Sequence, residues 1–194
     1  MPKSDKTEEV KDINSETNIE TARNKNGNHN VRPMVVASIL TAIAVVGSLF
    51  SFPVLGAKCA PIQHLVNIII AIILGPSWAF KAAFLASTIR NMLGLGTLFA
   101  FPGSIFGAIL AGLLYQKTKN VVGAYVGEVF GTAIIGGLVA YPMATIMMNS
   151  FEGALLGFVP PFFISTAGGT ILAVIIVTSL RKKRLAIENW IHHK

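Results

Sequence analysis

Apolar and polar positions divide the chain into six apolar stretches separated by short polar or turn-rich breaks. A helix needs about 20 apolar residues, or roughly 17–25, to cross the hydrocarbon core. RPMVVASILTAIAVVGSLF predicts a first span over 32–50, with Pro33 in its opening turn. SFPVLGAKCA reads as a connector. Pro61 can start a short second helix, 61–74, which Gly75 and Pro76 break. The third span is 77–93, the turn-rich GLGTLFAFPG covers 94–103, and the fourth span is 103–116. After the polar QKTKN the fifth runs 120–147, with a kink expected at Pro142. The sixth runs 152–180, interrupted by Pro160 and Pro161. The expected fold is an all-α integral membrane bundle of six transmembrane helices over 32–184. A disordered cytoplasmic tail precedes it at 1–31, and a cytoplasmic tail follows at 185–194.

Charge sharpens this picture. Only 13% of the 194 residues are charged, against 53% hydrophobic, and mean hydropathy is +0.63. Residues 33–180 carry just seven charges: Lys58, Lys81, Arg90, Lys117, Lys119, Glu128 and Glu152. A water-soluble fold cannot cover its surface with so few. The first thirty residues lack the apolar core of a signal peptide. Lys117, Lys119, Arg32 and RKKR at 181–184 fall on one side of a six-span topology, with Lys58 and Arg90 towards the other. The positive-inside rule then puts both termini in the cytoplasm of a bacterial cell membrane. The net charge of +7 reflects that orientation and does not suggest nucleic acid.

Small residues mark where helices approach. Gly103, Gly107 and Ala111 recur every fourth position in the fourth span, as do Gly123, Gly127 and Gly131 in the fifth. The two stripes predict a tight contact between these helices. The first span carries another small face, Ala37, Ser38, Thr41 and Ala42, with no obvious neighbour in the chain.

Candidate chemistry gathers where the second span begins. KCAPIQHLVN places Lys58 and Cys59 before the helix, and Gln63, His64 and Asn67 on one broad helical face. Polar groups at membrane depth either bond neighbouring helices or serve function; three together beside Lys58 and Cys59 favour a ligand site. A second cluster, with Arg90 and Asn91, closes the third span; Arg90 either contacts ligand or reaches lipid headgroups. Glu128 is the lone acid of the fifth span, in a stripe with Tyr125 and Thr132. It is expected to be protonated or paired, with Lys81 as one partner. Phe99, Phe101, Tyr141 and Phe52 are candidate aromatic lining. No zinc-protease, nucleophile-elbow or Walker A signature occurs. One cysteine and one interior histidine are too few for a metal site, so neither metal nor cofactor is expected.

KCAPIQHLVN, LGPSWAF, RNMLGLGTLFAFPGSIFGAILAGLLY and GEVFGTAIIGGLVAYP resemble the ThiW family over about 34–181. The AFPGS–GA–LAGLLY and KCAP–QH blocks are the specific parts. The resemblance implies a compact six-helix substrate-binding S component of an energy-coupling-factor vitamin transporter. It would capture the thiamine precursor hydroxyethylthiazole at the outer face. It also implies partners: a transmembrane coupling subunit and two cytoplasmic ATPases, which would explain the missing Walker A sequence. The face at Ala37, Ser38, Thr41 and Ala42 resembles the small-residue stripe by which such proteins dock, here as SxxxA or AxxxT. Beside this reading stand a non-catalytic scaffold protein and two further alternatives. One is an S component for another small vitamin or a phosphorylated precursor, with Arg90 and Lys58 as anion contacts. The other is an intramembrane enzyme using Cys59 and His64.

Overall fold

The computed structural model describes residues 31–55, 57–148 and 156–192, with side chains described as far as Leu180; the expected N-terminal tail and the start of the sixth predicted span lie outside them. Contacts divide the chain into two units. The first ends at Val36 and contributes helix 31–36. Everything below concerns the second unit, from Ala37 onward.

Helix α1, 31–47, runs into a 3₁₀ turn at Ser48–Phe50. The connector is a small antiparallel hairpin, β1 (Phe52–Val54) with β2 (Ala57–Cys59), pairing Phe52 with Cys59. Leu55, at φ 48, takes the reversed backbone that starts the turn. Three-residue strands are too short to show alternation in the sequence, so SFPVLGAKCA reads there only as a connector.

Proline and glycine set the next boundaries. Helix α2, Pro61–Ile73, and helix α3, Pro76–Met92, each start with proline in the first turn, where its missing N–H costs nothing. Gly75, at φ 86, makes the reversal between them. Helix α4 covers Ala100–Thr118. Asn120 caps helix α5, Val121–Phe130, by accepting a hydrogen bond from the Val122 amide at 3.1 Å. A π-helical stretch, Gly131–Gly136, joins α5 to helix α6, Gly137–Met148. Pro142, where a kink is expected, sits inside α6, and a departure from α geometry precedes it in the glycine-rich stretch. Helix α7 runs from Val159 to His192, through RKKR, so the helix continues past the expected end of the span.

Among the described residues, three helices are long and apolar enough to cross a membrane: Val31–Phe50, Val121–Met147 and Val159–Leu180. Helix α2 is a shorter apolar helix of 13 residues, about 20 Å at 1.5 Å per residue.

The interior is built from small residues. Ala79, Ala82, Ala83 and Ala86 of α3 meet Ala108 and Ala111 of α4, Ala124 of α5 and Ala71 of α2. Large side chains such as Ile39, Ile43, Leu113, Val126 and Ile175 face outward. Small inside and large outside is the arrangement lipid favours, since close backbone approach, not apolar burial, holds membrane helices together. The glycine stripes of α4 and α5 do meet. A Cβ on Gly127 would lie 2.6 Å from the Leu110 carbonyl, and one on Gly131 2.6 Å from that of Phe106. Gly107 faces the Glu128 carboxyl, which a Cβ would approach to 3.0 Å. Gly103 instead faces the Phe162 ring, and Gly123 faces Thr118 and Leu114 at the start of α5.

Candidate functional site

At one end of the bundle, the start of α2, the end of α3, the start of α4 and the first turns of α7 surround a recess. Its walls are Lys58, Ala60, Gln63, His64, Arg90, Thr97, Phe99, Ala100, Gly103, Ser104, Phe162 and Ser165. The recess is small, with a cavity volume of about 30 Å³. That is room for one or two waters, so a heterocycle enters only if the walls move apart.

Below the recess lies a buried polar layer. Glu128, fully buried, gathers three hydrogen bonds on Oε1: Asn67 Nδ2 donates at 3.1 Å, the Thr132 hydroxyl donates at 3.5 Å, and His64 Nδ1 shares a bond at 2.8 Å. Asn67 also donates to the Ser104 carbonyl at 3.3 Å. These bonds tie α2 to α4, α5 and the π-helical stretch. They also fix the imidazole: with Nδ1 engaged, Nε2 is the ring nitrogen left for a ligand. Close approach at two glycines permits the layer. Gly107 leaves room for Glu128 and Thr132, and a Cβ on Gly169 of α7 would sit 2.6 Å from that of His64.

A second buried set forms the side wall. Gln63 Nε2 donates to Ser87 Oγ at 3.3 Å, and Ser87 and Ser104 hydroxyls lie 2.9 Å apart. Both serines can donate to the Ala100 carbonyl. Gln63 Oε1 is buried without a partner. Phe99, Phe158 and Phe162 form an aromatic run, with ring centroids 4.8 Å apart for the first pair and 6.1 Å for the second; Phe99 and Phe162 line the recess.

Of the sequence candidates, Lys58, Gln63, His64 and Arg90 line the recess. Asn67, Glu128 and Thr132 lie beneath it, because Asn67 stands one helical turn below Gln63. Cys59 is not in the walls. Adjacent strand residues point to opposite faces, so Lys58 takes the recess side and Cys59 is fully buried, its thiol 3.2 Å from the Pro161 carbonyl. Burial pushes that thiol up from its ordinary pKa, against a lowering hydrogen bond from Ser165. It therefore stays protonated at neutral pH, and the suggested thiol–imidazole pair with His64 does not form. Asn91 bonds the Ser87 carbonyl of its own helix at 2.8 Å. Tyr125 lines an apolar outer groove with Phe130 and Phe163, and Tyr141 packs on the Ala140–Phe162 cluster. Lys81 does not pair with Glu128; its ammonium lies 4.8 Å from the centre of the Trp78 ring. Phe101 stacks on Phe84, and Phe52 is exposed in β1. On α1, Ala37 and Thr41 turn inward and are buried, whereas Ser38 and Ala42 are on the exposed side.

Sequence reasoning did not single out Ser104 and Ser165. A lone serine in a membrane helix carries no pattern, although Ser104 sits within the distinctive AFPGS block. Ser165 accepts the Ala60 amide at 2.8 Å and so anchors α7 to the entry of α2.

No curated protein and no solved structure matches the chain. Residues 34–183 match the family of the thiamine-precursor transporter protein, ThiW, and with most of its length inside that match the chain belongs to this transporter family.

Proposed function

We propose that this chain is the substrate-binding component of an energy-coupling-factor transporter, and that it captures hydroxyethylthiazole in the recess for uptake by partner subunits. One observation carries this reading: a recess walled by hydrogen-bonding side chains and two aromatic rings, at one end of an otherwise apolar helical chain. Gln63 Oε1 offers an unused acceptor for a hydroxyl. His64 Nε2 offers a second polar contact, and Phe99 and Phe162 give flat apolar walls for the ring. In this reading six helices, including the short α2, cross the membrane, both termini are cytoplasmic and the recess opens outward. The chain has no Walker A sequence, so ATP is hydrolysed on two cytoplasmic partners acting through a transmembrane coupling subunit. The docking face on α1 is narrower than the sequence suggested: Ser38 and Ala42 form it, because Ala37 and Thr41 are buried.

Uptake by cells expressing the chain with and without its partners tests the assignment. Thiazole accumulates above equilibrium only when the coupling subunit and ATPases are present. Ala42→Trp should abolish that accumulation while ligand affinity stays within about threefold, since bulk blocks helix approach without touching the recess. ATP-driven accumulation by the chain alone in liposomes would contradict the proposal.

A further inference from the structure

Arg90 is out of place for a membrane anchor. It is 3% exposed, its Nε is buried without a hydrogen-bond partner, and among the described residues no carboxylate pairs with its guanidinium. The chain turns sharply after α3, where the Leu95 and Gly96 amides both donate to the Arg90 backbone carbonyl, at 2.8 and 3.1 Å. A buried cation without a counter-ion is costly, and an anion supplied from outside removes that cost. Arg90 lines the recess, and so does Lys58, whose exposed ammonium is held at the rim by the Gly94 carbonyl at 3.3 Å. The recess walls contain no carboxylate. Among the residues whose side chains are described, the one acid is Glu128, in the layer beneath, with its Oε1 already taken by His64, Asn67 and Thr132.

We infer that the recess is built for an anionic form of its ligand, a phosphate monoester, with the phosphate held between Arg90 and Lys58. This rests on the proposed substrate-binding role and names the ligand class for the same site. A phosphate monoester carries about −1.5 to −2 charges at pH 7, which two cations balance; a carboxylate would leave one uncompensated. A guanidinium grips phosphate through two parallel N–H donors. The Ser165 hydroxyl adds another donor. It receives the Ala60 amide on its oxygen, and its own O–H has no acceptor among the described residues. Phosphate oxygens only accept from these groups, so the donor set and the ligand match.

Calorimetry on the purified full chain tests this with three probes: hydroxyethylthiazole, its phosphate ester and inorganic phosphate. The ester should bind at least about tenfold tighter than the alcohol, about 1.4 kcal/mol. Arg90→Gln should erase that difference, and Lys58→Ala should reduce it in part. Ligand-free Arg90→Gln should melt at or above the wild type, because it loses an uncompensated buried charge; a lower melting temperature would make Arg90 structural and overturn the inference. If the alcohol binds and the ester binds no tighter, the inference fails while the substrate-binding reading stands; that comparison uses wild-type protein and holds even if the variant does not fold. If neither binds, that reading fails as well. Inorganic phosphate binding as tightly as the ester would overturn the thiazole part of the assignment.

Discussion

Glu128→Leu destabilises the purified chain by about 3–5 kcal/mol, whereas Glu128→Gln costs about 1 kcal/mol. The difference follows from the oxygen on which three donors converge. Leucine removes it and strands His64 Nδ1 and the Thr132 hydroxyl in a dry interior, leaving Asn67 with only its 3.3 Å bond to Ser104. Glutamine can keep its oxygen at the Oε1 position and place its amide nitrogen where Oε2 already lacks a partner. Reversible unfolding in detergent, followed by loss of helical signal, separates the two variants. Equal loss in both would mean that the carboxylate's charge, not its geometry, holds the layer together. The leucine variant should also bind thiazole poorly, because the imidazole that it releases no longer presents a fixed Nε2.

The second large effect is steric. Gly127→Val should cost at least about 2–3 kcal/mol, at the upper end for overpacking, because its Cβ meets backbone atoms of Leu110 and Ala111 at 2.6–2.7 Å. Backbone cannot rotate away as a side chain can, so α4 and α5 must separate. Separation pulls Gly107 from Glu128, and the polar layer loosens with it. Gly168→Ala provides the contrast: its Cβ would meet only the Pro61 ring, at 3.4 Å, an ordinary contact, and stability should change by less than about 0.5 kcal/mol. Thermal melting of the two variants against wild type decides this. A Gly127→Val protein as stable as Gly168→Ala would show that the glycine stripe does not set the distance between the two helices.

Helix positions were legible because Pro61, Gly75, Pro76 and Asn120 act locally, through missing donors, reversed backbone and capping. The contact between α4 and α5 was legible for a similar reason: a small residue every fourth position leaves few ways to pack. The partner of Glu128 was not legible. His64 is 64 positions away in sequence, and pairing at that separation depends on how three helices are arranged. Lys81 was the wrong candidate because charge alone suggested it, while its position on α3 takes it to the Trp78 face. The small stripe of α1 misled for a related reason. Small residues mark close approach without saying to which neighbour, and Ala37 and Thr41 use theirs within the chain. Arg90 is the clearest case. A long flexible side chain near a helix end can reach water or fold inward, and its sequence position does not decide between them; Arg90 folds inward, into the recess wall.

The central claim is that this recess holds a small thiazole. Titration of the purified chain with hydroxyethylthiazole, beside the variant Ala100→Phe, tests it most directly. Ala100 lines the recess, and its carbonyl serves Ser87 and Ser104. A phenyl group there occupies the small interior and leaves those backbone bonds in place. Saturable one-to-one binding to wild type is expected, weakened at least about 30-fold, or about 2 kcal/mol, in Ala100→Phe, with the helical signal retained. Equal affinity in both proteins, or no saturable binding to wild type, would contradict it.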